Sequence, residues 1–403
     1  WYLDRLTEED FATMTTAFFP PTEHQLTELS GIKFWPSVCS FYGECNQTKI
    51  QMYNQAAAEE AGAELYFGTT AEYIIMENGA VAGLVASDAD GYVKITCKAV
   101  VCACGGMGGN PDMMAYFMPD MAQARVEGES LSSMSANDGR GVQMAYWAGA
   151  HLETTPIPGM NMKGLSVPGK MNCLPQAVWI DENGKRFCNE DTGFVYMGNI
   201  TKYVPKFNGN NVDANHPDGS LGWYCQIYDS DYMSYANGPI PEQVMTKYIP
   251  GAVENPQGVF TNLIDTYKAD TIEELAGLLG VPADELQKTI DRYNELCDKG
   301  TDVDFGKKSA YMHKIVTAPF WGIRKHIRVS SIDSGVNTNA NGQALDADGN
   351  VIDGLYCVGN VGGVFYGGAD YPFHQTGLSL GRCYTFGMLA AKHAMGQLQL
   401  RKS

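Results

Sequence analysis

Residues 100–112 read VVCACGGMGGNPD. Five small or apolar residues, Val100–Cys104, are cut off by Gly105 and Gly106, and Gly108 and Gly109 follow. Glycine in or beside a buried strand forfeits packing, so its use marks a place where another group passes close to the backbone. Either a bound ligand or a tightly packed neighbour takes that space. Upstream, Gln47–Ala61 is alanine-rich and amphipathic and stops at Gly62, a helix with a glycine cap. Strand-like segments follow at Glu64–Phe67, Glu72–Met76, Ala80–Ser87 and Tyr92–Cys97, with hairpin turns at Asn78-Gly79 and Asp90-Gly91. A β-meander thus leads into the quoted strand.

Downstream, a helix pattern at Val142, Ala145, Tyr146 and Gly149 closes this region. From His151 the texture changes to Asn-, Tyr-, Met- and Pro-rich sequence, ending in two capped helices. Thr271–Glu274 has the form of a capping box before a helix that stops at Gly280, and the next helix runs Pro282–Asp298 before Gly300. After Val329 the β texture returns, with turns at Asn341-Gly342 and Asp348-Gly349, a second glycine-ended strand at Leu355–Gly359, and a last helix from Leu378. The fold class is α/β: a first domain split into residues 1–150 and 329–403, with an α+β domain, 151–328, inserted between. Two similar strands on either side of the insertion point to one sheet with a ligand at its carboxyl edge.

The 403-residue chain carries a formal charge of −18, which repels phosphate backbones and excludes nucleic acid as a partner. It has no apolar stretch long enough for a transmembrane segment. Its 11 cysteines lack metal-type spacing, so reduced thiols are expected and no metal site.

Three stretches carry the chemistry. Ala103-Cys104-Gly105-Gly106 and Gly359-Asn360-Val361-Gly362-Gly363 each permit a flat or phosphate-bearing ligand to approach, or serve tight packing alone. Thr376–Gly381 opens the last helix, whose amino end stabilises an anion, or is merely capped by Thr376 or Ser379. No G-x-G-x-x-G is complete: Gly106 and Gly108 begin one, and Pro111 occupies the third glycine position.

In this order the stretches resemble the fumarate reductase/succinate dehydrogenase flavoprotein superfamily, in the single-chain branch with urocanate reductase and 3-ketosteroid dehydrogenases. Further matching segments are residues 62–91, NDGRGVQMAYWAGAHL (137–152), DENGKRFCNE (181–190), residues 289–307, GLYCVGNVGG (354–363) and TGLSLGRCYTFGMLAA (376–391). The resemblance implies FAD as cofactor, lined by Ala71, Ala103, Cys104, Gly105, Gly106, Asn137, Asp138, Gly359, Asn360, Leu378, Ser379 and Leu380. It implies an incomplete Rossmann-like FAD-binding domain, because the G-x-G-x-x-G unit is absent, and a capping domain as the insertion. Since residue 1 is Trp, the chain is read as a fragment.

The resemblance also defines what differs. The segment after Asn189-Glu190 has no Arg, Val329–Ser334 has no His, and the late Asn-Arg pair is replaced by Tyr366–Gln375. A small dicarboxylate needs cationic partners. The expected substrate is therefore a larger, less charged molecule than fumarate: an enone, a steroid-like ring or an aryl acrylate. Tyr371, placed as in the ketosteroid dehydrogenases, would polarise its carbonyl, with Tyr366 or His374 as proton donor. The run Arg324, Lys325, His326, Arg328 reads as a solvated face or a substrate-anion contact. The implied activity is FAD-dependent reduction of an activated C=C bond of a small molecule, fed by a haem or flavin electron donor. The alternatives are a ketosteroid-type dehydrogenase and a non-catalytic flavin-binding protein.

Overall fold

The computed structural model describes residues 3–16, 27–29, 32–34, 41–117, 125–126, 137–154, 159–160, 176–191, 223–235, 264–326, 328–329, 331–332, 334–366 and 378–396. Helix α1 (Glu8–Thr13) is followed by two short antiparallel pairs, β1 (Met14–Thr16) with β4 (Phe41–Gly43) and β2 (Thr27–Leu29) with β3 (Ile32–Phe34). Helix α2 (Gln47–Glu60) begins where Asn46 accepts the Lys49 N–H at 3.1 Å and ends before Gly62 at φ +90°.

The meander is β5 (Thr70–Glu77), β6 (Ala80–Asp88) and β7 (Gly91–Thr96). Asn78 and Gly79, at φ +52° and +82°, form a turn whose twist matches the flanking strands. Leu65, Tyr66 and Phe67 are exposed and make no strand, contrary to the pattern of residues 64–67. Strand propensity there has no ladder to join.

The quoted strand, β8 (Val100–Cys102), is shorter than its apolar run. It runs parallel to β18 (Val351–Cys357), with Val100 opposite Leu355 and Cys102 opposite Cys357, and Cys102 O accepts the Val358 N–H at 3.0 Å. The other edge of β18 pairs antiparallel with β17 (Gln343–Leu345), while Asp353 bridges to Ala80 on β6. Helix α3 (Pro111–Phe117) starts on proline, and helix α4 (Arg140–Trp147) buries Val142 and Ala145 against Ile74, Cys102, Leu355 and Cys357. Burial of the Val142 side chain is worth about 1.5–3 kcal/mol. One sheet is therefore assembled from segments far apart in the chain.

Between them lies an antiparallel sheet in the order β11 (Val178–Ile180), β12 (Trp223–Tyr228), β14 (Phe320–His326), β13 (Ile264–Ala269). Strand alternation decides its two faces. Val178, Ile180 and Ile227 pack under α5 (Ile272–Leu279) and α6 (Ala283–Lys299), whereas Trp179, Tyr224, Tyr228 and Trp321 join the core around β8. Thr271 caps α5 by accepting the Glu274 N–H at 3.1 Å, and Gly280 and Gly300 end the two helices at φ +70° and +65°. Arg324, Lys325 and His326 fall on β14, a strand paired on both edges. Two pairings, β9 (Arg125–Val126) with β15 (Arg328–Val329) and β10 (Gly159–Met160) with β16 (Ser331–Ile332), tie remote segments together. The last helix is α7 (Leu378–Ala394). No helix among the described residues is long and apolar enough to cross a membrane.

The RF-x-N-E segment folds this second sheet. Arg186, 5% exposed, donates to Glu190 at 2.9 and 2.7 Å and to Asp302 at 3.3 and 2.8 Å. Buried Lys307 lies 3.6 Å from Glu190 and donates to Ala177 O at 2.9 Å. Glu190 also accepts the Trp179 N–H, and Arg186 lies over the rings of Tyr293 and Phe305. Two cations and two carboxylates thus neutralise one another out of water.

Candidate active site

The two glycine-tipped strand ends are neighbours, as their shared pattern implies. A Cβ on Gly105, which sits at φ +83°, would lie 2.0 Å from Asn137 Oδ1. At this position the Asn137 side chain passes close to the backbone. Residues 137–139 are laced onto the strand end by Gly109 N–H to Asn137 O (2.8 Å), Gly139 N–H to Gly106 O (3.1 Å) and Asn110 Nδ2 to Asp138 O (2.9 Å). Asn110 Oδ1 in turn accepts the Met113 N–H, holding the start of α3.

Gly141, on the first turn of α4, is needed for contact in the same way: its Cβ would stand 3.2 Å from both Cys104 and Val361. Arg140 joins α4 to β5, donating to Glu72 at 2.7 Å and to Asp138 at 3.3 Å, next to Ala71. Ala103, Cys104 and Asp138 are exposed, and Gly105, Asn137, Gly359 and Asn360 are half-buried, so most of the residues expected to line a cofactor are accessible; Gly106 is buried. Cys104 has its thiol pushed up, chiefly by burial of the sulfur. Cys357 is pushed up by its hydrogen bond with Cys102 and by burial. These two stay neutral thiols. No group of three or more metal-ligating side chains occurs among the described residues.

Helix α7 completes the edge. Ser379 is half-buried and Leu380 exposed; the side chain of Leu378, together with Tyr371 and His374, lies outside the described residues. Arg382, one turn on, went unmarked in the sequence and is 4% exposed. Its Nη2 donates to Gly359 O and, at 2.9 Å, to Gly362 O, and its guanidinium lies 5.2 and 5.0 Å from the ring centres of Phe365 and Tyr366. The two rings meet edge to face at 4.8 Å. Tyr366 therefore stands at the edge, stacked on a buried cation. A cavity of about 170 Å³ opens here, lined by Thr338, Asn339, Gly363, Val364, Phe365 and Arg382 among others.

Glu153 shapes the same loop. Buried at 6% exposure, it accepts from the Ser334 hydroxyl and from the Val364 N–H at 3.0 Å. Val364 sits at φ +57°, a costly conformation for a β-branched residue, and the carboxylate holds it there. A Cβ on Gly363 would stand 2.7 Å from Glu153 Oε2. Neither Glu153 nor Arg382 was marked as a candidate; their only trace in sequence is a charge among small and apolar residues.

The carboxyl ends of parallel strands, beside a helix amino end, are where open α/β sheets take their ligands. The chain belongs to the FAD binding domain family, which matches residues 9–371. It is similar to a vinyl phenol reductase of Lactiplantibacillus plantarum, 28% identical over 359 residues, covering 84% of this chain and 69% of that one. It is also similar to a 3-oxosteroid 1-dehydrogenase of Mycobacterium tuberculosis, 27% identical over 372 residues, covering 84% and 61%. The fold matches the open conformation of a flavocytochrome c3 fumarate reductase with a TM-score of 0.61 at 22% identity, over 93% of this chain and 60% of that one. The chain thus spans roughly 60–70% of the length of these proteins. FAD is the cofactor of this family, and the edge suits it. Backbone at Cys104 and Gly359 is accessible, and Val101, Val364, Phe365 and Leu380 are apolar side chains left 36–49% exposed there, surface that a flat ring system covers.

Proposed function

We propose that the protein reduces an activated C=C bond of a small organic acceptor, with FAD held at the edge formed by β8, β18 and α7. The convergence of the two glycine-tipped strand ends with the last helix carries this reading. The similarity to a vinyl phenol reductase supports it. Ala71, Ala103–Gly106, Asn137 and Asp138 would hold the cofactor from one side, and Gly359, Asn360 and Leu378–Leu380 from the other. The amino end of α7 favours negative charge near it. Bound there, FAD supplies two-electron hydride chemistry; the protein's own share is the proton and the polarisation. Tyr371 donates a hydrogen bond to the acceptor carbonyl, and Tyr366 or His374 protonates the carbon that does not receive hydride, so that C=C becomes CH–CH. Residues 151–328 act as the domain that covers substrate. Electrons reach the site from a haem or flavin carrier.

A second reading, ring desaturation running the same geometry in reverse, is favoured by the similarity to a 3-oxosteroid 1-dehydrogenase. The deciding experiment uses full-length, FAD-loaded protein. Anaerobic turnover of enones and aryl acrylates with a reduced dye is compared with oxidation of saturated ketones by a dye acceptor. Reduction should dominate, and Tyr371→Phe should lower kcat by about 10²-fold or more. A colourless protein that refuses flavin, or a Tyr371→Phe variant with unchanged turnover, overturns the assignment.

A further inference from the structure

We infer that Cys102 and Cys357 are a redox-active pair whose reversible disulfide locks β8 to β18, whichever reaction the protein runs. The two residues stand opposite each other in the parallel register, so their side chains leave the same face of the sheet. Neighbouring strands lie about 4.8 Å apart. A disulfide accepts Cα separations of roughly 4.4–6.8 Å, so this pair can be bridged with little backbone movement. The thiols already meet, in a hydrogen bond from Cys357 to Cys102. Both are free thiols in the structure, 2% exposed, and they pack among Val142, Ala145, Leu355 and Val361.

The two thiols have different roles. The hydrogen bond from Cys357 holds Cys102 below its ordinary range in spite of burial, while the same bond and burial push Cys357 well up. The thiolate is the nucleophile, so Cys102 attacks first. Burial restricts the oxidant to a small one, and hydrogen peroxide is little larger than water. The Cys102 sulfur takes one peroxide oxygen, the O–O bond breaks and hydroxide leaves, giving a sulfenic acid. The Cys357 sulfur then displaces that oxygen: the S–S bond forms, the S–O bond breaks, and the Cys357 proton departs with the oxygen as water. Two thiols lose two electrons in all, and one peroxide becomes two waters. The bond joins segments roughly 250 residues apart, and a crosslink restricts the unfolded chain more the longer the loop it closes. It also fixes the spacing of the two strands that lead to Gly105 and Gly359.

Peptide mapping of full-length, FAD-loaded protein tests this. After hydrogen peroxide and then alkylation, a linked Cys102–Cys357 peptide, two hydrogens lighter than its parts, should appear, and dithiothreitol should abolish it. The urea midpoint of the oxidised protein should rise by roughly 0.5–1 M and return on reduction. In Cys357→Ser, Cys102 should stop at the sulfenic acid and be trapped by dimedone. In Cys102→Ser, Cys357 should remain a thiol at the same peroxide dose. The rival partners are Cys104 and Cys383, whose sulfur stands 3.1 Å from where a Gly359 Cβ would lie. The inference fails if both residues are recovered alkylated, if either is joined to Cys104 or Cys383, or if Cys102 goes to the sulfinic acid with no linked peptide. These outcomes are read on wild-type protein and need no variant to fold. A linked peptide with an unmoved midpoint refutes the locking of β8 to β18.

Discussion

Asp302→Asn tests how the second sheet is held. In the folded chain burial pushes the Asp302 carboxyl up, but the hydrogen bonds and charge of Arg186 and the amides of Phe305 and Lys307 outweigh it and hold it at about 2. Against the usual value near 3.9, nearly two pH units correspond to about 2–3 kcal/mol of stability. Because the folded value is depressed, that stability is fully present above about pH 5, is roughly halved at pH 3 and vanishes as pH falls through 2. Asparagine also leaves Arg186 and Lys307 facing Glu190 alone, an uncompensated buried charge of the kind that costs about 3–5 kcal/mol. Urea unfolding followed by tryptophan emission reports on this unit, since Trp179 and Trp321 are buried in its sheet. The variant should lose about 3–5 kcal/mol at neutral pH, and the gap should narrow by about 1 kcal/mol at pH 3. A loss below about 0.5 kcal/mol at pH 7, or a gap as wide at pH 3 as at pH 7, refutes the account.

Arg292 makes two bonds of 2.9 and 2.8 Å to Asp304, but its side chain is 44% exposed, so Arg292→Ala should cost no more than about 1 kcal/mol by the same urea titration. Gly105→Ala should lower stability by about 1–3 kcal/mol in a thermal melt, because the new methyl group collides with Asn137 at an unfavourable φ. Adding Asn137→Ala should recover the steric part only, leaving about 1 kcal/mol for the backbone; no recovery would mean that another neighbour fills the space.

Local punctuation was readable because its chemistry is local. Asn78-Gly79, Gly280 and Gly300 require left-handed backbone wherever the chain goes, and they stop elements where expected. The pairing of β8 with β18 was readable because both strands carry the same apolar-then-glycine pattern. What escaped depends on partners distant in sequence. The pattern of Gly105 says that something approaches, but not that it is Asn137. Arg186 lies 116 positions from Asp302, so nothing near the motif shows that its charge is neutralised internally. Arg382 looks like any exposed helical arginine until the loop after β18 folds over it. Leu65–Phe67 shows the opposite failure, a strand-like composition with no strand beside it.

The parallel pairing of Cys102 with Cys357 also has a consequence in time. Roughly 250 residues separate the two, and at about 5–20 residues per second a ribosome needs some 12–50 s to deliver the second after the first. The meander leaves the tunnel long before its long-range neighbour exists, and the strands of the helix-backed sheet are synthesised in the interval. An edge that needs both strands is therefore among the last parts of this chain to form, and slowing synthesis near residue 350 would lengthen the wait without altering any contact in the finished molecule.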